Sequence, residues 1–101
     1  MTASDDDARQ RAIDLLEANH VFPGEFSLSV IARSDASITD AILAGARQGL
    51  AEPLRPEAHQ IKPSAGGRYL SHRLLVPCQS AGDVLNLFAR MRAIEGVVTV
   101  L

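Results

Sequence analysis

HQIKPSAGGRYLSHRLLV, residues 59–76, is the stretch on which the fold turns. Its two ends, His59–Lys62 and Tyr69–Val76, have the short alternating pattern of strands, and Pro63-Ser64-Ala65-Gly66-Gly67-Arg68 between them supplies glycine where a tight turn needs positive φ. The stretch therefore predicts a β-hairpin. With Ile61 set opposite Leu70, one face carries Ile61, Leu70, Leu74 and Val76, and the other carries Gln60, Lys62, Tyr69, Ser71, Arg73 and Leu75. The same loop, with Lys62, a Ser-Ala-Gly-Gly run and Arg68, has the look of a phosphate cradle. It lacks a Gly-Lys-Ser/Thr ending, and its glycines do not open a helix whose amides could hold phosphate. Chain reversal is the stronger reading, and anion capture by Lys62, Arg68 and the loop amides is the lesser one.

Outward from the hairpin the period of the apolar residues alternates between two and about 3.6. Phe26, Leu28, Val30 and Ala32 fall on one face of a strand over Glu25–Arg33, and Ser27, Ser29, Ile31 and Arg33 fall on the other. A helix over Asp7–Asn19 precedes it, opened by Asp5-Asp6-Asp7 and stopped by Phe22-Pro23-Gly24. After the strand, Ser34–Ser37 offer turn and cap chemistry. A second helix follows with a stripe of Ile38, Ala41, Ile42, Gly45, Ala46 and Gly49, whose small residues suggest close approach to a sheet. Pro53 and Pro56 interrupt the chain before the hairpin. Beyond it, Ser80 and Asp83 form a Ser-x-x-Asp variant of the capping box. The helix they open carries Val84, Leu85, Leu87, Phe88, Met91 and Ile94 and is expected to end at Gly96. Val97–Leu101 is a β-branched last strand.

The order is a helix followed by β-α-β-β-α-β. That predicts an α+β, ferredoxin-like domain: a four-stranded antiparallel sheet, first and third strands central, two helices on one face. Residues 1–20 form an N-terminal extension with its helix, and residues 21–101 form the domain. The second sheet face is left open, or is covered by the N-terminal helix. Ile31, Leu75, Val98 and Val100 are expected there, ringed by Ser27, Ser29, Arg33, Lys62, Tyr69, Ser71 and Arg73, and an apolar patch with a polar rim marks an interface.

A 101-residue chain that is 47% hydrophobic and 22% charged suits one globular core. A formal net charge of −2 gives no overall field drawing it to nucleic acid or an anionic membrane. Cys78 is the only cysteine, so an intrachain disulfide and a thiolate-rich zinc site are both excluded. MTASDDDARQ lacks the basic and apolar regions of an export signal, and no apolar run approaches the ~20 residues that span a bilayer. The expectation is a cytoplasmic protein.

Catalytic constellations do not assemble from these residues. Cys78 and Ser80 have no neighbouring His and carboxylate to activate them, and Glu17, Glu25, Glu52, Glu57 and Glu95 are scattered. His59 and His72 face one another across the hairpin, which could begin a metal site, but no third ligand is evident, and both fall on the helix-covered face. RNA reading by such a sheet uses two or three aromatic platforms on central strands, and Tyr69 alone qualifies here.

Phe22-Pro23-x-x-Phe26, Lys62-Pro63-Ser64 with Gly67-x-Tyr69-x-Ser71, and the terminal Val97–Leu101 resemble the YbeD-like family of small bacterial proteins from about residue 15 to the end. The resemblance implies a ferredoxin-like domain similar to ACT regulatory domains, which sense small ligands, commonly amino acids, through paired domains, and it brings no catalytic residues. The chain departs from the short family form in its Asp-rich N-terminal segment. Its turn Arg33-Ser34-Asp35-Ala36-Ser37 also lacks the glycine that ACT domains often use at their ligand.

The expected function is a non-enzymatic regulatory or interaction module that binds a partner protein or a small ligand and can self-associate, without cofactor, metal or membrane. Its candidate interaction surface is Ile31, Arg33, Lys62, Arg68, Tyr69, Ser71, Arg73 and Leu75. The alternative is RNA or ribosome association through the basic hairpin and open sheet face.

Overall fold

The computed structural model describes residues 5–48, 50 and 54–101. Its elements are α1 (Asp5–Asn19), β1 (Gly24–Arg33), α2 (Ala36–Arg47), a 3₁₀ turn (Pro56–Ala58), β2 (His59–Pro63), β3 (Tyr69–Cys78), α3 (Ala81–Arg92) and β4 (Val97–Val100). The four strands form one antiparallel sheet in the order β2-β3-β1-β4, with β1 and β3 central as the sequence predicts. The Gly49 and Pro53 expectations lie outside the described residues.

Local chemistry starts each helix. The Asp35 carboxylate accepts from the Ser37 hydroxyl at 2.7 Å and from the Ser37 N–H at 2.8 Å, which caps α2 and holds the Asp35 carboxyl below its ordinary range. Ser80 Oγ accepts from the Asp83 N–H at 3.3 Å to cap α3. Asp83 in turn accepts from the N–H of Gln79 at 2.9 Å, one residue further back than a capping box would reach.

Helical and strand periods meet in one core. Leu28, Val30 and Ala32 of β1, Leu74 and Val76 of β3, Ile38, Ile42 and Ala46 of α2, and Val84, Leu87 and Met91 of α3 are all buried. Burying one large apolar side chain stabilises by about 1.5–3 kcal/mol, against a net stability of roughly 5–15 kcal/mol for a whole domain. Any single truncation in this cluster therefore removes a large share of what holds the fold.

Four local expectations are corrected by the packing. Ile61 lies opposite His72, and Pro63 lies opposite Leu70, so the hairpin register is shifted by two residues. A shift of two preserves the faces, because side chains alternate with period two. Val100 is buried opposite Val30 on the helix-covered face, because a β-bulge separates the Ile31↔Thr99 pair from the Ala32↔Val97 pair. Val98 is the extra residue of that bulge, and Thr99 takes the open-face place opposite Ile31. Gly45 serves close approach to a helix rather than to the sheet, since a Cβ there would meet Met91 Cε of α3 at 2.8 Å. The third helix ends at Arg92, and Gly96 instead makes the turn into β4 at φ +95°, its carbonyl accepting from the Arg33 N–H at 2.9 Å.

The packing also decides between the two alternatives for the second sheet face: α1 does not cover it. The helix lies against α3, with Leu16 touching the edge of the core and Arg9 beside Gly82, and none of its residues is buried.

Candidate functional site

Alternation along three paired strands gathers the predicted surface residues. Ile31 lies opposite Ser71, Arg33 opposite Tyr69, and Ser27 opposite Leu75, so these side chains share the sheet face turned away from α2 and α3. Lys62 pairs with Ser71 and Gln60 with Arg73, extending the face onto β2. Ile31, Ser71 and Leu75 are half-buried, whereas Arg33, Lys62, Tyr69 and Arg73 are exposed. Arg68 stands apart in the hairpin loop, where its carbonyl accepts from the Ser34 N–H at 2.9 Å. The carboxylate that belongs to this face, Glu25, sits at its far end and is paired with Arg55 at 3.1 Å. Arg33, Lys62 and Arg73 thus leave the middle and hairpin end of the face cationic.

The loop that joins β2 to β3 is built to turn. Ser64 accepts from the Gly67 N–H through its carbonyl at 2.9 Å and from the Tyr69 N–H through its hydroxyl at 3.2 Å, while Gly67 takes φ +71°. The Ser64 side chain and two amides of the loop are thereby used internally, which is the chain-reversal reading of this stretch.

His59 and His72 do meet, though diagonally rather than directly across the ladder: His59 pairs with Leu74, and His72 with Ile61. His59 Nε2 and His72 Nδ1 are 3.0 Å apart, with nearly parallel rings. One nitrogen donates and the other accepts, according to tautomer. His72 is fully buried and its Nε2 has no hydrogen-bond partner. Burial lowers the pKa of both imidazoles below 6.5; Arg47 adds to the effect at His59, and His59 adds to it at His72. The pair is therefore neutral in the fold near pH 7. Among the described residues no group of three His, Cys, Asp or Glu is placed to hold a metal ion. Cys78 is buried, and burial pushes its thiol pKa up, away from nucleophilic thiolate character.

One charged residue escaped the sequence reading. Arg90 belongs to the basic last turn of α3, where a cation is ordinarily a solvated complement to the helix dipole. Instead its Nε donates to the Gly45 carbonyl of α2 at 3.0 Å, and the side chain is partly enclosed. Its position seven residues after Asp83, on the flank of the Val84-Leu87-Met91 stripe, was the available signal.

The family described as "Protein of unknown function (DUF493)" matches residues 17–101. The chain belongs to this family. It is the family that the YbeD-like motifs indicate, and the match begins within α1, after the acidic opening of the chain. DUF493 membership thus covers every strand and both core helices. No curated protein matches the chain. Among solved structures it is similar to the ACT domain from GTP pyrophosphokinase of Chlorobium tepidum, with 18% sequence identity, a TM-score of 0.55, and coverage of 77% of this chain and 97% of that one. At that identity the likeness establishes an ACT-like, ferredoxin-like fold for this DUF493 protein. Among the described residues no helix is long and apolar enough to cross a membrane.

Proposed function

We propose that this DUF493 protein is a non-enzymatic regulatory or interaction module of the cytoplasm, and that its uncovered sheet face binds a protein partner or a small ligand. The observation that carries the reading is the packing of α1 on α3, which leaves Ile31 and Leu75 uncovered by any helix within a rim of Arg33, Lys62, Tyr69 and Arg73. Half-buried apolar groups ringed by cations fit a partner that is apolar at its centre and acidic at its edge. The likeness to a domain carried by a GTP pyrophosphokinase supports a regulatory setting, since ACT domains act by binding small ligands.

Affinity capture from the protein's own cells tests this reading by comparing the wild type with Ile31→Asp and Arg73→Glu. A specific partner lost by both variants, each still folded, supports the surface, and a partner retained equally by both overturns it. The same cationic residues favour RNA as a second reading. Binding that weakens steeply with salt and disappears in an Arg68→Ala, Arg73→Ala double variant would move the assignment to nucleic acid.

A further inference from the structure

Where β2 has ended, the edge of β3 from Leu75 to Cys78 has no strand neighbour among the described residues, and a cleft of about 700 Å³ opens there between the sheet edge and α3. Its volume lies within the range of small-molecule sites, roughly 300–1,000 Å³. The floor is apolar: Leu87, Val76 and Cys78 are each no more than 3% exposed. Leu54 adds to the apolar lining, and Leu75 borders it from the open-face side of the sheet edge.

The four charged groups of the cleft, Glu25, Asp83, Arg55 and Arg90, sum to zero, but they are not paired one to one. Glu25 is matched by Arg55 at 3.1 Å, and Asp83 accepts the Gln79 N–H at 2.9 Å. Arg90 is held by its Nε on the Gly45 carbonyl, and among the described residues its two terminal amino groups have neither a carboxylate nor any other acceptor. A planar guanidinium pinned at one nitrogen presents a preformed fork, the shape that receives a carboxylate with two parallel hydrogen bonds. Beside an apolar floor such an unmatched cation is costly to desolvate unless an anion completes it.

We propose that this cleft binds an organic monoanion: a carboxylate held by Arg90, attached to an apolar body that lies on Leu87, Val76 and Cys78. A phosphate monoester dianion is disfavoured by the two carboxylates, Glu25 and Asp83, that share the cleft with a single unmatched cation. An α-amino acid is disfavoured because both carboxylates of the cleft are already engaged: Glu25 faces Arg55 at 3.1 Å, and Asp83 accepts the Gln79 N–H at 2.9 Å.

The proposal concerns Arg90 and the core-side residues of α3 and β3, and stands or falls separately from the open-face reading. Its test uses the full chain and four probes with one apolar body: 4-phenylbutyrate, 4-phenylbutanol, 4-phenylbutylamine and 4-phenylbutyl phosphate. Methyl NMR titration to ~10 mM reaches near saturation for a Kd of about 1 mM. Phenylbutyrate is expected to shift the Leu87, Leu54 and Val76 methyls with a Kd at least about tenfold below those of the other three probes. Arg90→Gln is expected to erase that preference, whereas Ile31→Asp leaves it unchanged. Equal binding of the acid and the alcohol by the wild type overturns the proposal without reference to any variant. So do shifts confined to Ile31 and the open face, no shift at all, or an undiminished preference in folded Arg90→Gln.

Discussion

Gly96 and His72 show how much of this fold rests on single residues. Gly96 combines φ +95° with a position where an added Cβ would overlap Ile38 Cδ1, a side chain already fixed in the core. Gly96→Ala is therefore expected to cost about 1–3 kcal/mol, read as a lower urea midpoint at unchanged slope. His72 acts on stability through protons. The folded pKa values of His59 and His72 lie below 6.5, so below that pH the unfolded chain binds more protons than the fold. Stability is full above pH 6.5 and falls as the pH drops through that value toward the folded pKa values. Among the described residues no carboxylate contributes to either shift; Arg47 and the partner imidazole are the charges that do. His72→Leu removes both the titrating group and the unpartnered Nε2. Urea titrations between about pH 5 and 8 should find it no less stable than wild type at neutral pH, with a flatter dependence below 6.5. An unchanged acid slope in the variant would rule out the imidazole pair as its origin.

At the scale of elements, β4 provides the sharpest test. Without its bulge, alternation from Val97 would place Val98 and Val100 together on the open face; with it, Val100 enters the core and Val98 is left 61% exposed. Val100→Ala is accordingly expected to cost ~1–2 kcal/mol, and Val98→Ala to stay within about 0.5 kcal/mol of wild type. The reverse order in thermal or urea melts would mean that the strand runs in unbroken register. The hairpin behaves differently, because its register slip of two residues exchanges partners without exchanging faces. That is why the open-face residues of β1, β2 and β3 are legible from the pattern even though Ile61 lies opposite His72 and not Leu70.

For the whole molecule, the boundary between extension and domain has a measurable consequence. The acidic first turns of α1 bury nothing, and the element meets the core only through Leu16. Removing residues 1–14, which spares Leu16 and Phe22, is expected to leave a single cooperative unfolding transition with a melting temperature only a few degrees lower. A chain that no longer unfolds cooperatively would instead make α1 part of the domain. The same packing bears on function: a helix held on α3 cannot also mask Ile31 and Leu75, so the sheet face stays available without any rearrangement of the extension.

The sequence by itself determined the presence and order of the helices and strands and the two faces of β1, β2 and β3. Those follow from periods of two and 3.6, from Asp35 and Ser80 as caps and from glycines at turns, all of which act over a few residues. Only the tertiary structure decided where α1 rests, which way Val100 points, that His72 lies diagonal to His59, and that the Arg90 Nε is held on the Gly45 carbonyl beside an apolar floor. Each of these depends on one element's placement against another distant in the chain. A one-residue bulge or a two-residue slip changes such contacts while leaving the local pattern of hydrophobicity the same.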